Sequence, residues 1–324
     1  MRLVRAFAAL WCCGLVWHAV AADAKEATIA VHAGKSDSAN YVLAKQFAEA
    51  LALADNGAFT LVVEESQGSV QNVMDSLKGD NNYIFTAAPG VIAQAQRGDK
   101  PFDSNPSYDQ IRALFPIPPQ VVHWVVRQDS GIKNFEDLAG HSIVPGARGS
   151  VSERATEEAL QSLSLDKSVQ VIDAENGGGA NTLKSKQAGA LALTGSYPMP
   201  AVSEMARAMP IRLLSLPHDA IARIHATDDN IAEITIPKGI YPGVDYEVVT
   251  LGLPTGAYTT QAMSNATAYA ITKAFWSQRF NLARKNPAWI AVVPSRVAAL
   301  GAKLHKGALR YYLEAGIKVP ATLR

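Results

Sequence analysis

Residues 28–53, TIAVHAGKSDSANYVLAKQFAEALAL, contain the pattern that determines the fold. An apolar run at 28–31 is typical of a buried strand, a glycine- and serine-rich loop follows, and an alanine-rich amphipathic stretch at 39–53 predicts a helix. The unit recurs at once, with strand patterns at 59–63 and 83–87. Strands that alternate with helices predict an α/β fold with a largely parallel sheet.

The same rhythm restarts after a proline-rich segment at 115–119, which we interpret as a crossing point. Further strand patterns occupy residues 121–127, 141–144, 169–172, 190–193, 211–214 and 248–253, and helix patterns occupy residues 152–163, 260–285 and 294–301. We therefore predict two lobes. The first comprises residues 23–119 with 253–324, the second comprises residues 120–252, and the hinge lies near 118–122 and 251–256.

Residues 1–22 have the pattern of a secretory signal peptide. Two arginines, a short apolar run and small residues follow in that order, and we expect cleavage after Ala22 and a periplasmic mature protein. Cys12 and Cys13 raise the alternative of a lipid anchor. Against it, Trp11 precedes Cys12, where lipoprotein signals have a small residue.

The charge balance of the mature chain excludes some partners. The full chain has 30 basic and 29 acidic residues, and loss of Arg2 and Arg5 with the signal leaves 28 basic ones. A near-neutral chain argues against nucleic-acid binding and polybasic membrane adhesion. The predicted mature chain has no cysteine, so stability must come from core burial. We expect a monomer.

Four loops at the carboxyl ends of predicted strands are rich in glycine, serine, threonine or asparagine. In open parallel sheets ligands bind at this edge, where N–H groups at helix starts stabilise an anion without a cationic side chain. Ser69 and Ser150 could donate to such an anion, although both also suit a simple N-cap. The loops are residues 32–41, 66–72, 145–151 and 194–198.

Two larger side chains in these loops are also candidates. Arg148 could bind a carboxylate through both guanidinium nitrogens, or it could be solvated. Tyr197 could form an aromatic wall with a hydroxyl donor, or it could belong to the core. The candidate ligand-binding residues are Gly34, Ser36, Ser38, Tyr41, Gly68, Ser69, Val70, Arg148, Gly149, Ser150 and Tyr197.

Enzyme signatures are missing from the sequence. It has no paired-histidine zinc helix and no nucleophile elbow, and the glycine run near 177–179 lacks the lysine of a P-loop. We expect no catalytic residue, no metal and no cofactor. A catalytic triad assembled only in space is the alternative, which would make the chain a periplasmic enzyme.

Several motifs together resemble the TAXI solute-receptor subunits of tripartite ATP-independent periplasmic (TRAP) transporters. The resemblance covers nearly the whole mature sequence, and residues 239–243, GIYPG, are its most diagnostic block. The other motifs are Gly68, Ser69, Val70 and Asn72; residues 125–132; Gly146, Ala147, Gly149 and Ser150; residues 210–214; and residues 305–312.

This resemblance implies a two-lobed type II periplasmic binding-protein fold with the ligand cleft between the lobes. It also implies a receptor that captures a small organic anion, such as glutamate or a dicarboxylate, and delivers it to TRAP membrane subunits. Ser69, Val70, Gly149 and Ser150 match the family's ligand loops. Arg148 departs from the pattern, because many members have proline there. A receptor for an ABC importer or a sensor kinase is the alternative that the same fold would serve.

Overall fold

The structure is a computed structural model that describes residues 27–36, 38–54, 59–78, 81–146, 148, 150–173, 179–228 and 230–324. The predicted signal peptide and the candidate Gly149 lie outside these residues.

Ten strands and nine α-helices make up the described part. The strands are β1 (Ala27–Gly34), β2 (Phe59–Glu65), β3 (Tyr83–Ala87), β4 (Ile111–Arg127), β5 (Ser142–Val144), β6 (Gln170–Val171), β7 (Ala190–Gly195), β8 (Ile211–Leu213), β9 (Ala232–Ile236) and β10 (Val248–Thr260). The helices are α1 (Ala39–Ala54), α2 (Ser69–Asp75), α3 (Pro89–Arg97), α4 (Val151–Ser162), α5 (Gly179–Lys184), α6 (Pro200–Ala208), α7 (His218–His225), α8 (Asn265–Lys285) and α9 (Lys306–Glu314).

The strands form one sheet in the order β2-β1-β3-β10-β4-β7-β5-β6, with β8 paired to β4 and β9 to β10. The outer strands on each side are parallel, as the βα rhythm predicts. The sheet as a whole is mixed, because β10 runs antiparallel to β3 and β4, and β4 runs antiparallel to β7. The two long strands β4 and β10 therefore connect two parallel halves.

Two predicted boundaries are wrong at these long strands. The proline-rich segment 115–119 does not interrupt the chain but lies inside β4, and the strand predicted at 248–253 continues to Thr260. The helix predicted from 260 accordingly begins at Asn265. The helix predicted at 294–301 is a 3-10 helix at Pro294–Leu300.

Buried side chains divide into separate cores on the two sides of the crossing strands. The first core contains residues between 29 and 117 together with residues between 257 and 323. There the rings of Phe115 and Phe275 stack with centroids 3.8 Å apart. The other two clusters draw on residues between 121 and 251, with Ala291 added. We call the elements of the first core the first lobe and those of the other clusters the second lobe.

Candidate functional site

The candidate loops lie where strand ends of the two lobes are opposed. Since β3 and β4 both run antiparallel to β10, they point the same way, whereas β7 points back against β4. The end of β3 is level with Pro116, because both pair with Gly256, and the end of β7 at Gly195 is level with Val121. Five residues of strand separate these levels by about 16 Å. The crossing strands thus form the floor of a cleft.

The loop after β1 is closely connected to the loop after β2. Gly34 has φ +145° and its carbonyl accepts a hydrogen bond from the N–H of Ser66 at 3.0 Å. The hydroxyl of Ser38 accepts from the N–H of Tyr41 at 3.2 Å and so caps α1. A Cβ at Gly34 would lie 2.7 Å from that hydroxyl, so the tight turn requires glycine. Ser36 is exposed in this loop.

The loop after β2 presents backbone donors. Ser66 Oγ accepts from the N–H of Gly68, whose φ is +101°, and no described side chain caps the start of α2 at Ser69. The first-turn N–H groups of a helix have no partner within it. Val70 is 37% exposed beside them. This loop therefore combines uncapped backbone donors with an apolar side chain.

The loop after β5 leads into α4 in the second lobe. Ser150 caps this helix, because its Oγ accepts from the N–H of Glu153 at 3.2 Å, and it also lies 3.0 Å from the hydroxyl of Ser152. Gly146 has φ +109°, and a Cβ there would be 2.2 Å from Ser152 Oγ. The cap interpretation of Ser150 is confirmed by this geometry.

Arg148 is the most exposed of the larger candidates. Its side chain is 82% exposed and its Nη2 donates to Asp173 Oδ2 at 2.5 Å. This hydrogen bond to Asp173 raises the pKa of the guanidinium. Arg148 thus has a carboxylate partner on the protein itself, and a ligand carboxylate would have to replace it.

Tyr197 is buried and makes a contact from one lobe to the other. Only 3% of it is exposed, and its hydroxyl accepts a hydrogen bond from Arg296 Nη2 at 3.1 Å. Next to it, Ser196 donates to the carbonyl of Pro119 on the crossing strand at 2.8 Å. These bonds hold the loop after β7 against the cleft floor and the 3-10 helix Pro294–Leu300.

The bond from Ser66 to Gly34 joins two candidate loops within the first lobe. Among the described residues, no hydrogen bond or ion pair joins the loops at 34–41 and 66–72 with the loop at 145–151. A solute that contacted both sets would need the lobes to approach each other.

Two residues that sequence reasoning did not select support the loop after β7. His123 Nδ1 lies 3.0 Å from the carbonyl of Val121, and its Nε2 lies 2.8 Å from the hydroxyl of Tyr241. That hydroxyl also accepts from the N–H of Met199 at 2.8 Å. The simplest assignment makes His123 a neutral donor through Nδ1–H and an acceptor at Nε2. Burial lowers the pKa of His123 to about 4, so it is neutral at pH 7.

Arg296 is the other residue that the sequence analysis missed. It is half-buried, its Nε donates to the carbonyl of Ala291 at 3.1 Å, and it has no carboxylate within ion-pair distance in the described part of the chain. It borders the crossing strands near Pro119 and Thr255. No local pattern marked it, since Tyr197 is 99 positions away.

Metal chemistry and membrane crossing have no candidates in the described ranges. No group of three or more His, Cys, Asp or Glu side chains there could hold a metal ion. No described helix is both long and apolar enough to cross a bilayer.

The architecture is the two-lobed type II fold of periplasmic solute-binding proteins. The chain belongs to the NMT1-like family, whose sequence model matches residues 31–316.

Several solved structures are similar to this chain at low sequence identity. A TctC solute-binding protein from Polaromonas, solved without ligand, is 12% identical with a TM-score of 0.55 over 82% of this chain and 88% of that one. MatC from Rhodopseudomonas palustris with bound malate is 12% identical, with a TM-score of 0.45 over 89% and 96%. A sulfonate-binding protein of an ABC transporter from Methylobacillus flagellatus is 14% identical, with a TM-score of 0.45 over 88% and 76%.

Proposed function

We propose that this protein is a periplasmic receptor that closes two lobes on one small organic anion and catalyses no reaction. The observation that carries the proposal is the opposition of parallel strand ends across β4 and β10. Loops at such strand ends are where ligands bind in α/β sheets. A solute that contacts both lobes stabilises the closed state and shifts the population toward it.

An anion is favoured by the donors that these loops offer. The uncapped start of α2 at Ser69 presents N–H groups from the first lobe, and α4, capped by Ser150, begins at Val151 in the second. Helix starts attract carboxylates through these N–H groups and the helix dipole. Arg148 adds a cation, which we propose leaves Asp173 for the ligand when the lobes close. The ligand would be a glutamate-like amino acid or a dicarboxylate.

The transporter class is the finer part of the proposal. The motifs shared with TAXI receptors, above all residues 239–243, favour delivery to TRAP membrane subunits. In the structure Tyr241 of this block supports the loop after β7 through Met199. A neighbouring gene for a large multi-helix permease would support this class, and a neighbouring ATPase gene would favour an ABC importer.

A thermal-shift screen of residues 23–324 tests the receptor. Amino acids, dicarboxylates and keto acids are added singly, and a ligand at 100 times its Kd stabilises the folded state by about 2.7 kcal/mol. We expect a saturable rise in melting temperature with at least one small anion. Stabilisation by neutral solutes only would refute the anion, and turnover of the stabilising compound would establish an enzyme instead.

A further inference from the structure

A cavity lined by two cations lies at the edge of the first lobe that faces away from the cleft. It has a volume of about 560 Å³ and is lined at the start of β4, at the end of β10 and at the start of α9. Arg112 lies in the wall of this cavity, and Pro116 marks the level at which β3 ends. The four residues of β4 between these two positions correspond to about 13 Å along the strand. This cavity is therefore separate from the proposed cleft.

Two cations line the cavity, and no aspartate or glutamate does so among the described residues. Arg112 is fixed in place, because its Nη1 donates to the carbonyls of Asp109 at 2.6 Å and Ile111 at 2.8 Å, and its Nη2 donates to Gln261 Oε1 at 3.1 Å. Lys306 is exposed at the start of α9. In the described part of the chain neither cation has a carboxylate within ion-pair distance, and the carboxylate of Asp109 acts on Arg112 only from further away.

The pKa of a third residue in the wall is affected by the same two positive charges. His305 is buried and neutral, since its Nε2 lies 3.0 Å from the carbonyl of Met263 and its Nδ1 accepts from the N–H of Gly307 at 3.1 Å. Burial lowers its pKa, and the charges of Arg112 and Lys306 lower it further. Both cations thus act on the same small region.

The starts of two helices also border the cavity. A Cβ at Gly307 would be only 2.2 Å from the carbonyl oxygen of Asn265, so the starts of α8 and α9 touch each other beside the cavity. Amide groups of Gln110 and Gln261 are in the same wall. Donors from three chain segments can contact several oxygens of one anion, as a phosphate group offers.

We propose that this cavity binds a phosphate-type oxyanion through Arg112 and Lys306. A volume of about 560 Å³ exceeds that of a phosphate ion, so the site also has room for the organic part of a phosphate ester. The site is independent of the solute cleft and of the receptor function.

Titration of the mature protein with inorganic phosphate tests the proposal. Ionic strength is held constant with chloride at pH 7.5, and the ring signals of His305 are followed by NMR. We expect a saturable shift of these signals and a rise in the pKa of His305, because a bound anion offsets the charges of Arg112 and Lys306. A second titration with glycerol phosphate distinguishes the free ion from the ester, and tighter binding of the ester would assign the extra volume to its organic part.

Variants of the two cations test whether phosphate binds in this cavity. Lys306→Gln, at an exposed position, and Arg112→Gln should each weaken phosphate binding about tenfold, the loss of one charge-assisted contact. Arg310→Gln is the matched control, since Arg310 lies one turn further along α9 and pairs with Glu314. A combined Ser69→Ala and Ser150→Ala variant controls for the cleft and should leave the Kd unchanged. Equal Kd values in wild type, Lys306→Gln and Arg112→Gln would overturn the proposal, as would an equal response to chloride.

Discussion

The hydroxyl of Tyr241 lies 2.8 Å from Nε2 of His123, although 118 positions separate the two residues. The hydroxyl can donate to Nε2 only when His123 is neutral, because a protonated ring carries an N–H at this position. Met199 donates to the same hydroxyl, so the bond connects β4 with the loop that carries Tyr197. The protonation state of one buried histidine is thus coupled to one wall of the cleft.

This coupling predicts a loss of stability in acid. The pKa of His123 is lowered from 6.5 to about 4 in the folded chain, so between these values the unfolded state binds more protons. The contribution of His123 to the free energy of unfolding is therefore complete above pH 6.5, and it falls by about 3 kcal/mol as the pH drops toward 4. Urea unfolding of wild type and His123→Gln at pH 7.5 and 4.5 measures it. The pH-dependent loss should be smaller in the variant, and an equal loss in both proteins would contradict the coupling.

Arg148 and Asp173 give opposite predictions for ligand affinity. Arg148→Ala should weaken binding of the stabilising anion at least about tenfold, the effect of one charge-assisted hydrogen bond. Asp173→Asn removes the competing partner seen at 2.5 Å and should strengthen binding. Isothermal titration of both variants is the measurement. If neither substitution changes the Kd, Arg148 is a solvated surface residue and the anion is held by backbone groups alone.

Alanine substitutions at two serine caps distinguish an effect on stability from an effect on ligand binding. Ser150 caps α4 and Ser264 caps α8, where its Oγ accepts from the N–H of Thr267 at 3.0 Å. Replacement of either by alanine should cost about 1 kcal/mol of unfolding free energy. Only Ser150→Ala should also weaken the cleft ligand, because Ser264 lies outside the cleft. Equal affinities in the two variants would restrict Ser150 to its cap.

Two glycines flanking β5 test the start of α4. Gly146 has φ +109° and a Cβ there would be 2.2 Å from Ser152 Oγ, so Gly146→Ala should displace the helix start and abolish ligand binding. Gly140 has φ +79°, and its Cβ would meet no described atom within 4 Å. Gly140→Ala should therefore cost only backbone strain, about 1–2 kcal/mol, with the Kd unchanged. Calorimetry and ligand titration of both proteins distinguish these outcomes.

The two-lobed α/β fold could be predicted because its signals are local. A strand at 28–31 followed by a helix at 39–53 is visible in the sequence itself, and β1 and α1 occupy those places. The crossing strand could not be predicted in the same way, since prolines argue against a central strand. Pro116, Pro118 and Pro119 are tolerated because β7 pairs with β4 only from Val121 onward, so this part of β4 has one long neighbour, β10.

The local features of the candidate site could also be predicted, whereas its long-range contacts could not. Loops that follow strands were found from their glycines and serines, and of the two predicted caps Ser150 is one while Ser69 is not. The partners of Arg148 and Tyr197 could not be found, because Asp173 and Arg296 approach them only through the fold. A histidine inside an apolar strand, such as His123, gives no local signal of the tyrosine it contacts.

The stacking of Phe115 on Phe275 has a consequence for the time course of folding. The first core needs partners from both ends of the chain, and Tyr312 near the carboxyl terminus donates its hydroxyl to the carbonyl of Leu114. Contacts at such separation in sequence form slowly, because a long loop must close before they are made. Residues 29–117 therefore cannot form a complete first-lobe interior until residues 257–323 have also been delivered to the same compartment.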